Sequence, residues 1–141
     1  MRKVEIQFLD QGFHRVLFDA MPVPVFVVDD DVCILDYNAA AGRLLGKARR
    51  LVLWRRGGEV LRCVNARAVP GGCGRAPACG RCVVRESVRR ASQGQGVVRR
   101  RAKMELVADG KRARVSLRVS SQPFTYHRRS FVLLILEGLD D

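Results

Sequence analysis

The last third of the chain constrains the fold most. VVRRRAKMELV, the turn from Ala108 to Gly110, and KRARVSLRVSSQPF read as a hairpin in which Ala113, Val115, Leu117 and Val119 alternate with Arg112, Arg114, Ser116 and Arg118. A period of two sends alternate side chains to opposite faces, so one face of that strand is expected in a core and the other in water. SFVLLILEGL, next in the chain, is a continuous apolar run and is expected to lie centrally in the sheet.

The beginning of the chain supplies the helical layer. Phe8, Leu9, Phe13, Val16, Leu17 and Ala20 recur at steps of three and four, which predicts an amphipathic helix over residues 4–21 that Pro22 and Pro24 end. VPVFVVDDDVCILDYN then reads as two strands, Val23–Val28 and Val32–Tyr37, joined through Asp29, Asp30 and Asp31. Those three carboxylates are read as a solvated turn rather than a metal site, because Mg²⁺ and phosphoacceptor carboxylates are usually gathered from different elements. Asn38 has the chemistry of a helix N-cap for AAAGRLL, and Gly46 that of its C-cap. KARRLVLWRRGGEVLR shows no clean period and is broken by Gly57 and Gly58, while Cys82 to Arg90 has helical spacing in Val83, Val84 and Val88. The order implies an α+β fold: a five-stranded antiparallel sheet with helices packed on one face. We expect a helix over residues 1–21 and a single domain over residues 22–141.

Charge and hydropathy narrow the class. No apolar run approaches the ~18 to 20 residues of a spanning helix, and the start lacks the apolar core of a secretory signal, so a cytoplasmic location and no membrane span are expected. The net charge is +12, and residues 49–141 carry the excess, with 21 basic and 7 acidic side chains. Such a field attracts nucleic acid or another anionic partner. Yet 22 of the 26 basic residues are arginine, scattered over loop, helix and strands with no aromatic-interleaved basic segment, so nucleic-acid binding is an alternative and not the favoured reading.

The stretch CVNARAVPGGCGRAPACGRC holds Cys63, Cys73, Cys79 and Cys82 in the spacing C-x9-C-x5-C-x2-C. Where thiols stay reduced, clustered cysteines bind metal or do redox work more often than they form disulfides. Four thiolates complete a tetrahedral zinc site or an iron–sulfur cluster. Pro70, Gly71, Gly72, Gly74 and Gly80 allow tight turns around a small centre, and Arg67, Arg75, Arg81 and Arg85 are placed to offset its negative charge. Free thiols and disulfides remain alternatives for the same residues. Cys33, inside an apolar strand, reads as a buried small hydrophobe.

DAMPVPVFVVDDDVCILDYNAAAGRLLG, the helix before Gly94 and the closing long strands together resemble a PAS sensor domain over nearly the whole chain. The resemblance implies a sensory role in signal transduction, a pocket beside the long helix that takes haem, flavin, a small organic ligand or an iron–sulfur cluster, and homodimerisation through the helix at residues 4–21. Haem is disfavoured because the histidines, His14 and His127, fall outside the helix that supplies the axial ligand. Flavin is disfavoured because the NCRFLQ stretch of the light-sensing branch is absent. A thiolate centre on Cys63, Cys73, Cys79 and Cys82 is the remaining candidate, with iron–sulfur preferred to zinc on the resemblance. Any output would lie on a separate kinase or transcription regulator. No catalytic constellation stands out and catalysis is not expected; a thiol oxidoreductase using Cys79 and Cys82 is the weakest alternative, since two further cysteines crowd the pair.

Overall fold

The computed structural model describes residues 11–138. The first helix, α1, runs Gln11–Ala20, so the part of the expected helix before residue 11 lies outside the described residues. Arg15 fastens α1 to the segment around Tyr37: it pairs with Asp19 (3.1 Å) and Asp36 (3.0 Å) and donates Nη2–H to the Tyr37 carbonyl.

Five strands form one sheet: β1 (Val25–Val28), β2 (Ile34–Tyr37), β3 (Val97–Ala108), β4 (Lys111–Tyr126) and β5 (Arg129–Gly138). Their spatial order is β2-β1-β5-β4-β3 and every neighbouring pair is antiparallel. The apolar run is central, as its lack of polar positions predicts. The helices are α2 (Ala39–Leu45), α3 (Gly57–Val60), α4 (Val64–Ala68) and α5 (Val83–Ser92), and the last packs across β3, β4 and β5.

Alternation decides the core. Val132, Leu134 and Leu136 of β5 are buried, and in register beside them stand Val28 and Phe26 of β1 and Ser121 and Val119 of β4. Onto this inner face α5 lays Val84, Ser87, Val88 and Ala91, all buried, and Ser121 Oγ donates to the Ser87 carbonyl at 2.8 Å.

Asn38 is the junction of the first half. Its Oδ1 accepts from Ala41 N–H, capping α2, and from Val25 N–H, while Nδ2 donates to the Val23 carbonyl; each bond is 3.0 Å. Gly46 ends α2 at φ 60° with its N–H on the Gly42 carbonyl.

Two details differ from the sequence expectation. Both early strands are shorter than read, because Pro24 precedes β1 and Val32 takes φ 60°, a left-handed conformation rare for a β-branched residue. Gly57 and Gly58 do not break structure: they open α3, where both are buried and the Gly57 N–H donates to the Val32 carbonyl at 2.9 Å. Their role is close approach. A Cβ on Gly57 would stand 3.1 Å from Val32 Cγ1 and one on Gly58 2.8 Å from Cys73 Sγ.

Candidate functional site

Between the inner face of β1 and β5, the loops after β2 and the start of α5 lies an apolar cavity of about 40 Å³. That is room for a few atoms, given that ~10–15 Å³ on this measure admits one water. Phe26, Val28, Ile34, Leu134 and Leu136 form its apolar wall, and Cys63, Cys73, Cys79 and Cys82 all line it. The fold therefore places all four of the clustered cysteines along one cavity. Cys33 does not line the cavity; it sits half-buried in the β1–β2 hairpin, where burial pushes its thiol pKa up.

Each cysteine is held by its own backbone device. Cys63 precedes α4, donates its N–H to the Gly58 carbonyl (2.8 Å) and is bridged to Leu106 of β3. Cys73, only 8% exposed, stands between Gly72 (φ 82°) and Gly74 (φ 88°), two positive-φ positions that suit glycine. Cys79 lies in the 3₁₀ turn Pro77–Arg81, and Cys82 is the N-cap residue of α5. Burial pushes the Cys82 thiol up, while the backbone N–H groups of Arg85 and Val84 pull it the other way. As placed, the sulfurs share a cavity rather than a closed coordination sphere: among the described residues no three His, Cys, Asp or Glu side chains form a set that could hold a metal ion.

Arg85 is the polar member of this wall. One turn into α5, it returns Nη2–H to the Cys73 carbonyl (2.9 Å) and sulfur (3.1 Å) and pairs Nη1 with Asp31 at 2.8 Å. Burial opposes its charge, yet the hydrogen bonds to Cys73 and Asp31 hold its pKa above the ordinary value. Its Nε–H is buried with no partner among the described residues. A Cβ on Gly74 would collide with the guanidinium, so glycine is what lets Arg85 reach Cys73.

Asp31 completes the arrangement. Arg75 donates to both its oxygens (2.7 and 3.1 Å), and Arg85 to its Oδ1. The hydrogen bond from Arg75, with that of Arg85 adding to it against the cost of burial, draws the carboxyl down to about 2. Arg56 adds a tie from α3, pairing with Glu59 at 3.1 Å and donating to the Gly71 carbonyl at 2.8 Å. Of the four arginines expected to offset the thiols, only Arg85 lines the cavity; Arg75 pairs with Asp31 and donates to the Cys73 carbonyl (3.1 Å), and Arg67 and Arg81 are exposed. Asp31 escapes a reading by sequence because its partners lie 44 and 54 positions away. The histidines keep their expected distance: His14 is on α1, His127 is in the β4–β5 turn, and neither lines the cavity.

The cavity brings four cysteines, a guanidinium with a spare buried N–H and an apolar wall to one place. Comparisons with known proteins bear on the fold. Residues 12–78 match the family profile described as PAS domain. The chain is similar to the PAS domain of nitrogen regulation protein NR(II) from Vibrio parahaemolyticus, with 15% identity, 89% of this chain and 97% of that one covered, and a TM-score of 0.61. It is similar also to the PAS domain of an HTR-like protein from Haloarcula marismortui (18% identity, 98% of each chain, TM-score 0.59). A third is a domain of the sensory box sensor histidine kinase/response regulator from Geobacter sulfurreducens (20% identity, 93% of this chain and 99% of that one, TM-score 0.56). No curated protein matches the sequence. Residues 12–78 belong by their sequence to the PAS domain family, and the described residues have the fold of solved PAS domains.

Proposed function

We propose that this PAS domain is a sensory module in which Cys63, Cys73, Cys79 and Cys82 hold an iron–sulfur cluster whose state is relayed to a separate output protein, a kinase or a transcription regulator. The observation that carries the reading is that all four clustered cysteines, and no other titratable residue except Arg85, line one apolar cavity. When bound, the cluster supplies a centre that responds to redox poise and to small oxidants. Arg85, whose Nη2–H already reaches the Cys73 sulfur and whose orientation Asp31 fixes, would offset the charge of the thiolates. Phe26, Ile34 and Leu134 keep water from the donors. Because Cys82 is the residue from which α5 starts, a displacement there is carried by Val84 and Val88 onto the sheet. The Geobacter protein, named as a sensor histidine kinase/response regulator, supports an output of that kind. On α1, Val16 (68% exposed) and Leu17 (49%) offer an apolar stripe for homodimerisation.

The test is purification without oxygen followed by visible absorption and by iron, zinc and sulfide analysis. The proposal expects broad charge-transfer absorbance with iron and sulfide, lost in Cys73→Ser while the far-ultraviolet dichroism is retained. One zinc in a colourless protein would replace the sensor by a structural clip, and protein free of metal would overturn the reading.

A further inference from the structure

The sheet has a second face, opposite the cysteine cavity, and the fold gathers on it residues that the sequence scatters. In β4 the outward positions run Tyr126, Phe124, Gln122, Ser120, Arg118, Ser116, Arg114 and Arg112, over about 46 Å at ~3.3 Å per residue. None of the outward residues of β4 or β5 is buried, whereas Val119, Ser121, Val132, Leu134 and Leu136 of the inner face all are.

One end of this face is cationic in a way that folding alone does not favour. Arg101 of β3 stands directly across from Arg118 of β4, a like-charge pair that destabilises a ladder, and Lys103 comes next on the same face. Among the described residues none of these three makes an ion pair. Glu137, which faces Arg118 in register on β5, pairs with Arg99 (3.6 Å), and Glu105 with Arg114 (3.6 Å) and Arg112 (3.8 Å).

The other end is aromatic. Phe124 and Phe131, paired across β4 and β5, stack with centroids 5.3 Å apart, and Arg129 lies over Phe131 at 5.5 Å. Tyr126, 52% exposed, extends the platform. A sheet face that offers unpaired cations for phosphates at one end, and at the other the exposed ring of Tyr126 beside the half-buried Phe124 and Phe131, is suited to a single strand of nucleic acid. An acidic protein would use the charge and leave the rings unexplained. A second copy of the chain would set one basic face against another.

We propose that the outer face of β3, β4 and β5 binds single-stranded nucleic acid, with Arg101, Lys103 and Arg118 on the phosphates and Tyr126 stacking on a base. The surface is separate from the cysteine cavity, and its occupancy does not depend on a metal.

The experiment is a fluorescence-anisotropy titration of a labelled oligo(U) of about 12 nucleotides, repeated over a series of salt concentrations, with sedimentation of each variant. Binding that weakens with salt is expected. Arg101→Gln with Arg118→Gln should lower the log–log salt slope by about 1.4, at ~0.7 for each single-strand phosphate that is no longer neutralised. The same pair relieves a like-charge repulsion, so its melting temperature should not fall. Tyr126→Ala should weaken binding by about tenfold with the slope unchanged, as loss of stacking requires. No anisotropy change, equal competition by duplex or by polyglutamate, or a shift in oligomeric state in place of oligonucleotide binding would each overturn the assignment.

Discussion

Asp31 receives Nη1 of both Arg75 (2.7 Å) and Arg85 (2.8 Å), so one carboxylate orients both arginines that hydrogen-bond to Cys73, Arg75 at its carbonyl and Arg85 at its carbonyl and sulfur. Its folded pKa of about 2 lies below the ~3.9 of an unfolded aspartate. A depressed carboxylate stabilises the fold above the unfolded pKa, and the contribution is lost as pH falls through the folded value. Because the side chain is 40% exposed, the full linkage value must be discounted for screening, to about 1 kcal/mol. Asp31→Asn should therefore lower stability by about that amount at pH 6, and the difference from the parent should vanish as pH drops from about 4 to about 2 in urea unfolding. Gly58 makes a complementary case. A Cβ there would stand 2.8 Å from Cys73 Sγ, so Gly58→Ala should cost about 1–3 kcal/mol by overpacking and displace the thiol, read as faster alkylation of Cys73. Neither residue announces itself in the sequence. An acidic triplet is ordinary turn chemistry, and the need for glycine at position 58 exists only once α3 and the cysteine loop are packed together.

At the scale of elements, what was legible is what depends on nearby residues. Alternation located β4, unbroken apolarity located β5 at the centre, and the Asn38 and Gly46 caps located α2 because capping is decided within one helical turn. Asn38 exceeds that local role. Its Oδ1 also holds the Val25 N–H, so Asn38→Ala should remove a cap and strand a buried donor, lowering stability by about 2–3 kcal/mol in denaturant unfolding. Asn38→Asp, which keeps the acceptor, should recover part of the loss. The segment between residues 47 and 62 was illegible because its structure is borrowed: Arg56 bridges to Cys33, Trp54 donates its N–H to the Ile34 carbonyl, and α3 is tied to the cysteine loop through Arg56 and Gly71. Such pairings leave no period in the chain.

For the molecule as a whole, the sheet separates two chemistries. Its inner face, with α5 and the loops after β2, encloses apolar side chains and four thiols; its outer face carries arginine, lysine and aromatic rings. The sequence groups Cys63, Cys73, Cys79 and Cys82 by their dense spacing, and the fold lines one cavity with them. The surroundings of the set, Arg85 with its unpartnered Nε–H and the wall contributed by β1 and β5, come from tertiary folding and were not legible in the sequence. Among the described residues no helix is long and apolar enough to cross a membrane. The most direct test of a shared thiolate centre is thiol alkylation of protein purified without oxygen, read by mass spectrometry before and after treatment with a chelator. Such a centre predicts that Cys63, Cys73, Cys79 and Cys82 are protected together and released together, with Cys33 unchanged by the treatment. Four cysteines that alkylate independently, at rates the chelator does not alter, would contradict it.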